Sequence, residues 1–328
     1  PIELTVEAAE DKGFSVDIDA FNNELQKQKE RARKARNSEQ SMNTQNEEYM
    51  NFQKESVFVG YDALNCDAKV IGIFKNGHEV KEATGEAIVL FDKTPFYGES
   101  GGQNGDQGRL IINNETFNIL NTMKFPNGQH AHIVNMKDSI LHEGDLVSLE
   151  VDEAFRADTA ANHSATHLLN EALRMVLGKH VIQQGSQVTN EGLRFDFNNY
   201  ENLTSDQIIE IEQIVNRAIK DSNIVTTTIT TIDQAKALGA QAVFGEKYGS
   251  AVRLVEMAYS KELCGGTHVK NTSEIEKFAI LGVESKGSGI FRIEAATKNN
   301  IITAEKEKLN ILLDLLFTSE EEKNLLAT

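Results

Sequence analysis

Between Val57 and about Glu150 the apolar residues of this chain arrive in short β-branched runs: Val57-Phe-Val59, Lys69-Val-Ile-Gly-Ile-Phe74, Ala87-Ile-Val-Leu-Phe91 and Leu110-Ile-Ile112. Asn76-Gly77, Asn104-Gly105 and Asn127-Gly128 punctuate them. Runs of this kind, separated by turn-forming dipeptides, pair as hairpins. Residues 51–150 are therefore predicted to form a β-rich, barrel-like domain.

The pattern changes on both sides. Residues 1–50 read as helical, with Ile2 to Ala9 and then Phe21 to Arg36 carrying few strand signals, and end in a polar stretch from Asn37 to Asn51 that resembles a linker. Residues 151–300 mix elements. A helix is predicted from about Ala154 to Leu177, stopped by Gly178. Ala165, Leu169, Ala172, Leu173 and Val176 share one of its faces, and His163 and His167 sit at the edge of that arc. A capping box, Thr204-Ser-Asp-Gln207, opens a second helix with Ile208, Ile211, Val215 and Ile219 at helical spacing. Strands are expected at Leu193–Phe197, Ile224–Thr231, Val252–Val255 and Ile290–Ala295. The class is α+β: a helical segment, a barrel-like domain, an α+β domain, and a further helix over residues 301–328 carrying Leu309, Leu312, Leu313, Leu316 and Phe317.

The chain has 328 residues, enough for two or three domains, and 40% of them are hydrophobic, which suits a globular core. No run approaches the roughly 18 apolar residues that cross a bilayer, and no basic-then-apolar signal segment opens the sequence, so a soluble protein is expected. Two cysteines, Cys66 and Cys264, fit a reducing cytosol better than a disulfide scaffold, so a cytoplasmic location is expected. The chain starts at Pro1 and ends on Thr328, and reads as a piece with more polypeptide on both sides. A formal net charge of −17 excludes a surface that grips nucleic acid everywhere, leaving any such contact local. The basic run from Lys27 to Arg36 is either an RNA contact or a solvated helix face, and Glu320–Glu322 a solubilising surface.

Two motifs carry the chemistry. On a helix, His163 and His167 fall about 40° apart and face one spot. In Cys264-Gly-Gly-Thr-His268 the two glycines allow a tight loop that brings Cys264 and His268 to one ion. Together the four offer the nitrogen and sulfur ligands that zinc prefers. The competing reading is two buried, hydrogen-bonded histidines and an inert thiol. Gly98-Glu-Ser-Gly-Gly102 matches the nucleophile-elbow pattern, but the Gly-Gly-Gln-Asn-Gly that follows Ser100 cannot start the helix an elbow needs. A backbone amide nest or a plain turn cluster remains. Gln183 is either a surface amide or one aimed at the site; Arg253 and Glu262 flank the Cys264 loop as ion-pair partners or catalytic groups. His78, His130, His132 and His142 lack ligand-like companions.

Six segments together resemble the editing region of the alanyl-tRNA synthetases: Thr94–Gln103, Asn162–Leu169, Leu193–Phe197, Phe244–Gly249, Glu262–His268 and Arg292–Ala295. The resemblance implies a zinc-dependent ester hydrolase that removes serine or glycine wrongly attached to the alanine tRNA, flanked by the rest of the synthetase. It implies that His163, His167, Cys264 and His268 hold Zn2+. Thr166 and Gln183 would shape the amino-acid pocket and act with Cys264 in catalysis. Gly98, Ser100, Gly101 and Gly102 would lie beside the tRNA end. Ser250 and Phe291 depart from the family, standing where Asp and a basic residue are common. No ATP-binding motif of the synthetic domain is recognised, so alanylation is not expected. The rivals are a non-catalytic tRNA-binding module with a structural zinc, a free-standing editing deacylase, and a hydrolase using Ser100.

Overall fold

The computed structural model describes residues 47–241 and 251–316. The predicted helices before residue 47, the basic run Lys27–Arg36, the segment Phe244–Gly249, Ser250 and Glu320–Glu322 lie outside the described residues. Of these residues, 47–53 with 125–127 form one compact unit and the remainder a second. In the first, Glu47–Asn51 is a short helix at the end of the stretch that reads as a linker. Its Tyr49 stacks on Phe125 at 4.5 Å, and Asn127 Nδ2 donates to the carbonyl of Phe52 at 2.5 Å.

The second unit begins with six strands that close on themselves: β1 (Asn65–Lys75), β2 (Glu86–Phe91), β3 (Gly108–Ile112), β4 (Glu115–Lys124), β5 (His130–Asn135) and β6 (Leu146–Val151). They run antiparallel in the cyclic order β1-β2-β5-β4-β3-β6, and β6 returns to β1 in a register that pairs Leu149 with Cys66. Inward side chains fill a barrel of so few strands, here Val70, Ile73, Val89, Phe91, Leu110, Ile119, Val134 and Leu149, all essentially inaccessible. The expected Asn76-Gly77 turn joins β1 to a short strand, His78–Val80. Asn104-Gly105 is no hairpin turn. A Cβ on Gly105 would stand 1.8 Å from the carbonyl oxygen of Thr122, so glycine there serves close backbone contact.

Helix α1 (Glu153–Leu177) leaves the barrel directly, capped by the Asp152 carboxylate, which accepts from Phe155 N at 3.0 Å, and ending at Gly178 as predicted. Arg156, in its first turn, is buried against Asp106, and its guanidinium also donates to the carbonyls of Gly60 (2.7 Å) and Pro95 (2.8 Å). The middle of α1 departs from the amphipathic pattern: nearly every side chain from Thr159 to Asn170 is buried, polar ones included. Thr159 and Thr166 donate to carbonyls one turn back, and other polar groups here find partners far along the chain, as burial requires. Asn162 donates to Thr189 O and accepts from Thr297 Oγ1 (2.7 Å), and Ser164 Oγ accepts from Val269 N (3.1 Å).

Against α1 lies a four-stranded antiparallel sheet in the order β7 (Gln183–Val188), β8 (Leu193–Asn198), β13 (Ile290–Thr297) and β12 (Phe278–Gly287). Helix α2 (Ser205–Lys220) has its capping box, and buries Ile211, Val215 and Ile219 in the same core as Leu169, Leu173, Phe195 and Ile293. Phe291 belongs to that core, 6% exposed and 6.1 Å from the Phe197 ring. Its side chain thus points away from any surface where a basic residue would meet a phosphate. A three-stranded sheet, β9 (Thr226–Thr230), β10 (Val252–Met257) and β11 (Ser260–Leu263), leads into the Cys264 loop, and α3 (Asn300–Leu316) closes the described chain. Ile224 and Val225, expected to be strand, precede β9. The fold is α+β with a six-stranded barrel, and among the described residues no helix is long and apolar enough to cross a membrane.

Candidate metal centre and its pocket

Helix periodicity brings His163 and His167 to one face of α1, with ring centroids 5.2 Å apart. The loop after β11 approaches them from the opposite side. Cys264 Sγ stands 3.4 Å from His163 Nε2 and 3.4 Å from His268 Nε2, and one ligand atom from each of the four residues lies within 4.8 Å of the others. Donors bound to one tetrahedral ion by bonds of about 2.0–2.3 Å would sit roughly 3.3–3.8 Å apart. Three imidazoles and a thiol at this spacing therefore fit a metal ion after small adjustments. Gly266 makes the approach possible, since a Cβ there would fall 2.1 Å from His163 Cε1; Gly265, which faces open space, has no such constraint.

The histidines are oriented from behind. His163 Nδ1 lies 2.7 Å from Gln103 Oε1, and His268 Nδ1 is 3.2 Å from Ser164 Oγ. His167 Nδ1 is 3.2 Å from Glu262 Oε2, an ionic contact outside hydrogen-bond alignment. Asn170 Nδ2 in turn holds Glu262 Oε1 at 2.8 Å. Such outer partners fix ring orientation and ligand basicity.

Burial opposes charge here, and the neighbours override it selectively. At Cys264 burial favours the thiol, yet His163, His167 and His268 together hold its pKa well below the usual value. At His167 burial works against the imidazolium, but Glu262 and Cys264 outweigh it and raise its pKa to about 9. Burial keeps Glu262 above the ordinary carboxylate range and, aided by His163, takes His268 down to about 3. The Cys264 thiolate and the neutral His268 match what metal binding demands, whereas His167 would release its proton on taking up an ion.

Above the cluster is a cavity of about 230 Å³ lined by the four-residue site's His163, His167 and Cys264, and by Tyr97, Ser100, Gly101, Thr166, Gln183 and Ser186. Thr166 Oγ1 donates to Asn162 O at 2.8 Å, so its proton is committed and its lone pairs can accept. Gln183, which begins β7, donates to Ser186 Oγ at 3.0 Å. Ser100 Oγ is engaged with Gly98 O (3.2 Å) and the Tyr97 hydroxyl (2.8 Å), not with a histidine. Gly98 and Gly102 do not line the cavity: Gly98 backs onto the carbonyl of Met123 and Gly102 onto that of Ser186.

Arg253 makes no ion pair among the described residues. Its Nη1 donates to the carbonyls of Cys264 and Gly266, each at 3.0 Å, and its guanidinium lies 4.2 Å from the Tyr61 ring centroid. The Tyr61 hydroxyl completes the clamp by donating to Gly265 O at 2.6 Å. Tyr61, Gln103 and Ser164 escape sequence reasoning. Gln103 and Ser164 lie inside recognisable motifs, whereas nothing local distinguishes Tyr61.

Comparison with known proteins adds an independent line. Residues 1–155 match the family model described as tRNA synthetases class II (A), and residues 252–294 match the threonyl and alanyl tRNA synthetase second additional domain. The alanine–tRNA ligase of Acholeplasma laidlawii is 44% identical over 96% of this chain and 35% of its own length. Those of Bacillus velezensis and Geobacillus thermodenitrificans are also 44% identical, over 95% and 99% of this chain and 36% and 38% of theirs. The chain thus spans a little over a third of the length of these curated relatives.

Proposed function

Since the chain belongs to the alanine–tRNA ligase family, we propose that it is the proofreading part of such an enzyme, a zinc-dependent hydrolase of serine and glycine mischarged on the alanine tRNA, working in the cytoplasm. The observation that carries this reading is the convergence of His163, His167, Cys264 and His268 at the floor of a small polar cavity that Thr166 and Gln183 line. On this assignment residues 51–150 are the barrel domain and 151–300 the deacylase domain.

The size and polarity of the cavity suit an aminoacyl ester. Serine exceeds alanine by a hydroxyl that an apolar synthetic pocket rejects poorly, so a second site that binds this hydroxyl supplies the missing discrimination. Thr166 Oγ1, its own proton held by Asn162 O, accepts the serine hydroxyl. Alanine leaves that acceptor unpaired at a cost of about 1–3 kcal/mol, and is spared. Gln183 also lines the cavity and offers its amide to the substrate. Ser100 and Gly101 form the rim beside which the terminal ribose would lie. Bound Zn2+, held by the three histidines and Cys264, would supply positive charge to polarise the ester or anchor the substrate amine.

The alternative of a purely structural zinc draws on the ligand set itself, because four protein donors saturate a tetrahedral ion. Deacylation of serine-charged alanine tRNA, measured with metal content, separates the two. Cys264→Ala is expected to lose zinc and activity together. Thr166→Val and Gln183→Ala should keep zinc while activity falls; full activity in both would overturn the pocket assignment, and a zinc-loaded parent chain without deacylation activity would leave the structural role standing and end the hydrolase proposal.

A further inference from the structure

The geometry points to Gln103, at the end of the glycine-rich run, as a positioning residue that fixes the orientation and tautomer of His163. This rests on the metal reading above. Gln103 is fully buried, and its backbone is tied down by exchange of hydrogen bonds with Ser100 (3.0 and 3.2 Å) and by a bridge to Val188 of β7. Its side chain reaches into the gap between the two ligand-bearing segments. Oε1 lies 2.9 Å from Thr267 N and 2.7 Å from His163 Nδ1, and Nε2 donates to Thr267 Oγ1 at 2.9 Å.

These contacts determine one another. The Thr267 backbone N–H is a donor without alternative, so the amide atom facing it is the carbonyl oxygen, and a flipped amide would set two donors against each other. The same oxygen faces His163 Nδ1. That nitrogen must therefore carry the proton, which leaves the lone pair of the neutral ring on Nε2, the atom 3.4 Å from Cys264 Sγ. One backbone N–H on the Cys264–His268 loop thus dictates which nitrogen of His163 on α1 is free to bind a cation. The glycine-rich run therefore acts in the site through its glutamine, independently of any contact its glycines make with RNA. Gly266 preserves the arrangement, because a Cβ there would stand 2.8 Å from Gln103 Oε1.

The test uses the full chain stripped of metal, with Zn2+ affinity read by competition with a chromophoric chelator and the His163 tautomer by 15N NMR of the imidazole rings. Gln103→Leu, similar in volume but without polar atoms, is expected to weaken zinc binding about 10–100-fold and to abolish the defined Nδ1–H form of His163. Gln103→Glu keeps an acceptor toward both donors and should restore affinity and tautomer. Unchanged affinity in Gln103→Leu, or failure of Gln103→Glu to recover it, would overturn the inference. Should Gln103→Leu fail to fold, Thr267→Val removes the hydroxyl that anchors the amide and is expected to weaken zinc roughly two- to tenfold; no change would again overturn it. A parent chain that binds no zinc defeats the metal reading itself, an outcome distinct from a variant that binds as tightly as its parent.

Discussion

Replacing Arg156 by Met removes the link between helix α1 and the barrel while keeping a long, flexible side chain in place. The carboxylate of Asp106, 0% exposed, then loses its three hydrogen bonds from Arg156 Nε and Nη2 and keeps one from Tyr97 N at 2.6 Å. Breaking a buried ion pair from one side costs about 3–5 kcal/mol, because the remaining charge is neither solvated nor paired. Two carbonyls, Gly60 O and Pro95 O, lose their donors as well, at about 1 kcal/mol each. The expected loss is thus about 5–7 kcal/mol, much of the stability of an ordinary domain. Pairing Arg156→Met with Asp106→Asn removes the stranded charge and leaves an amide oxygen for Tyr97 N. The double variant should recover all but about 2 kcal/mol, the share of the two carbonyls. Urea unfolding followed by circular dichroism measures both, with equal m-values as the control for an unaltered unfolded state. A loss below about 1 kcal/mol for Arg156→Met, or a double variant no more stable than the single, would refute the assignment of Arg156 as a charge-compensating anchor.

Other expectations concern the barrel and the site. His132 is buried and neutral, with Nδ1 donating to Val89 O (3.0 Å) and Nε2 bonded to Thr94 Oγ1 (2.7 Å); burial takes its pKa down to about 3. The unfolded chain, with a histidine pKa of about 6.5, binds the extra proton first, so stability is intact above that pH and drains away as pH falls toward 3. His132→Gln should therefore reduce the stability lost between pH 8 and pH 5 by about 2 kcal/mol, read from urea melts at the two pH values. Gly266→Ala drives a methyl into the His163 ring and is expected to cut zinc affinity at least about tenfold in chelator competition, whereas Gly265→Ala should bind normally. Thr166→Val should lower kcat/KM on serine-charged tRNA by about 5–150-fold and reduce the contrast with alanine-charged tRNA, measured as parallel deacylation time courses.

What the sequence discloses follows from the range over which each signal acts. The start and stop of α1 are legible because Asp152 and Gly178 act on adjacent backbone. The cluster of four possible metal donors is legible because His-x-x-x-His and Cys-Gly-Gly-Thr-His are dense in such groups. The barrel is expected from its short strand runs and turns, but its closing register is not legible, since Leu149 meets Cys66 across more than eighty residues and no local pattern encodes that pairing. The burial of the polar flank of α1 is not legible for the same reason. Asn162 and Ser164 are satisfied by Thr297 and Val269, over a hundred residues away. Phe291 shows the reverse case. A substitution that reads as a lost surface charge proves to be an inward-facing ring in a packed sheet.

The two ligand pairs, on α1 and on the loop after β11, are separated by roughly a hundred residues of polypeptide. An ion joining them would staple that span into a ring, withdrawing from the denatured chain conformations that an open polymer would explore. For a ring of this length the entropic gain is on the order of 4–5 kcal/mol if the staple behaves as a covalent crosslink does. Loss of the ion would then loosen everything strung between α1 and the loop, including β7 and β8, so that chelation and thermal fragility would rise together.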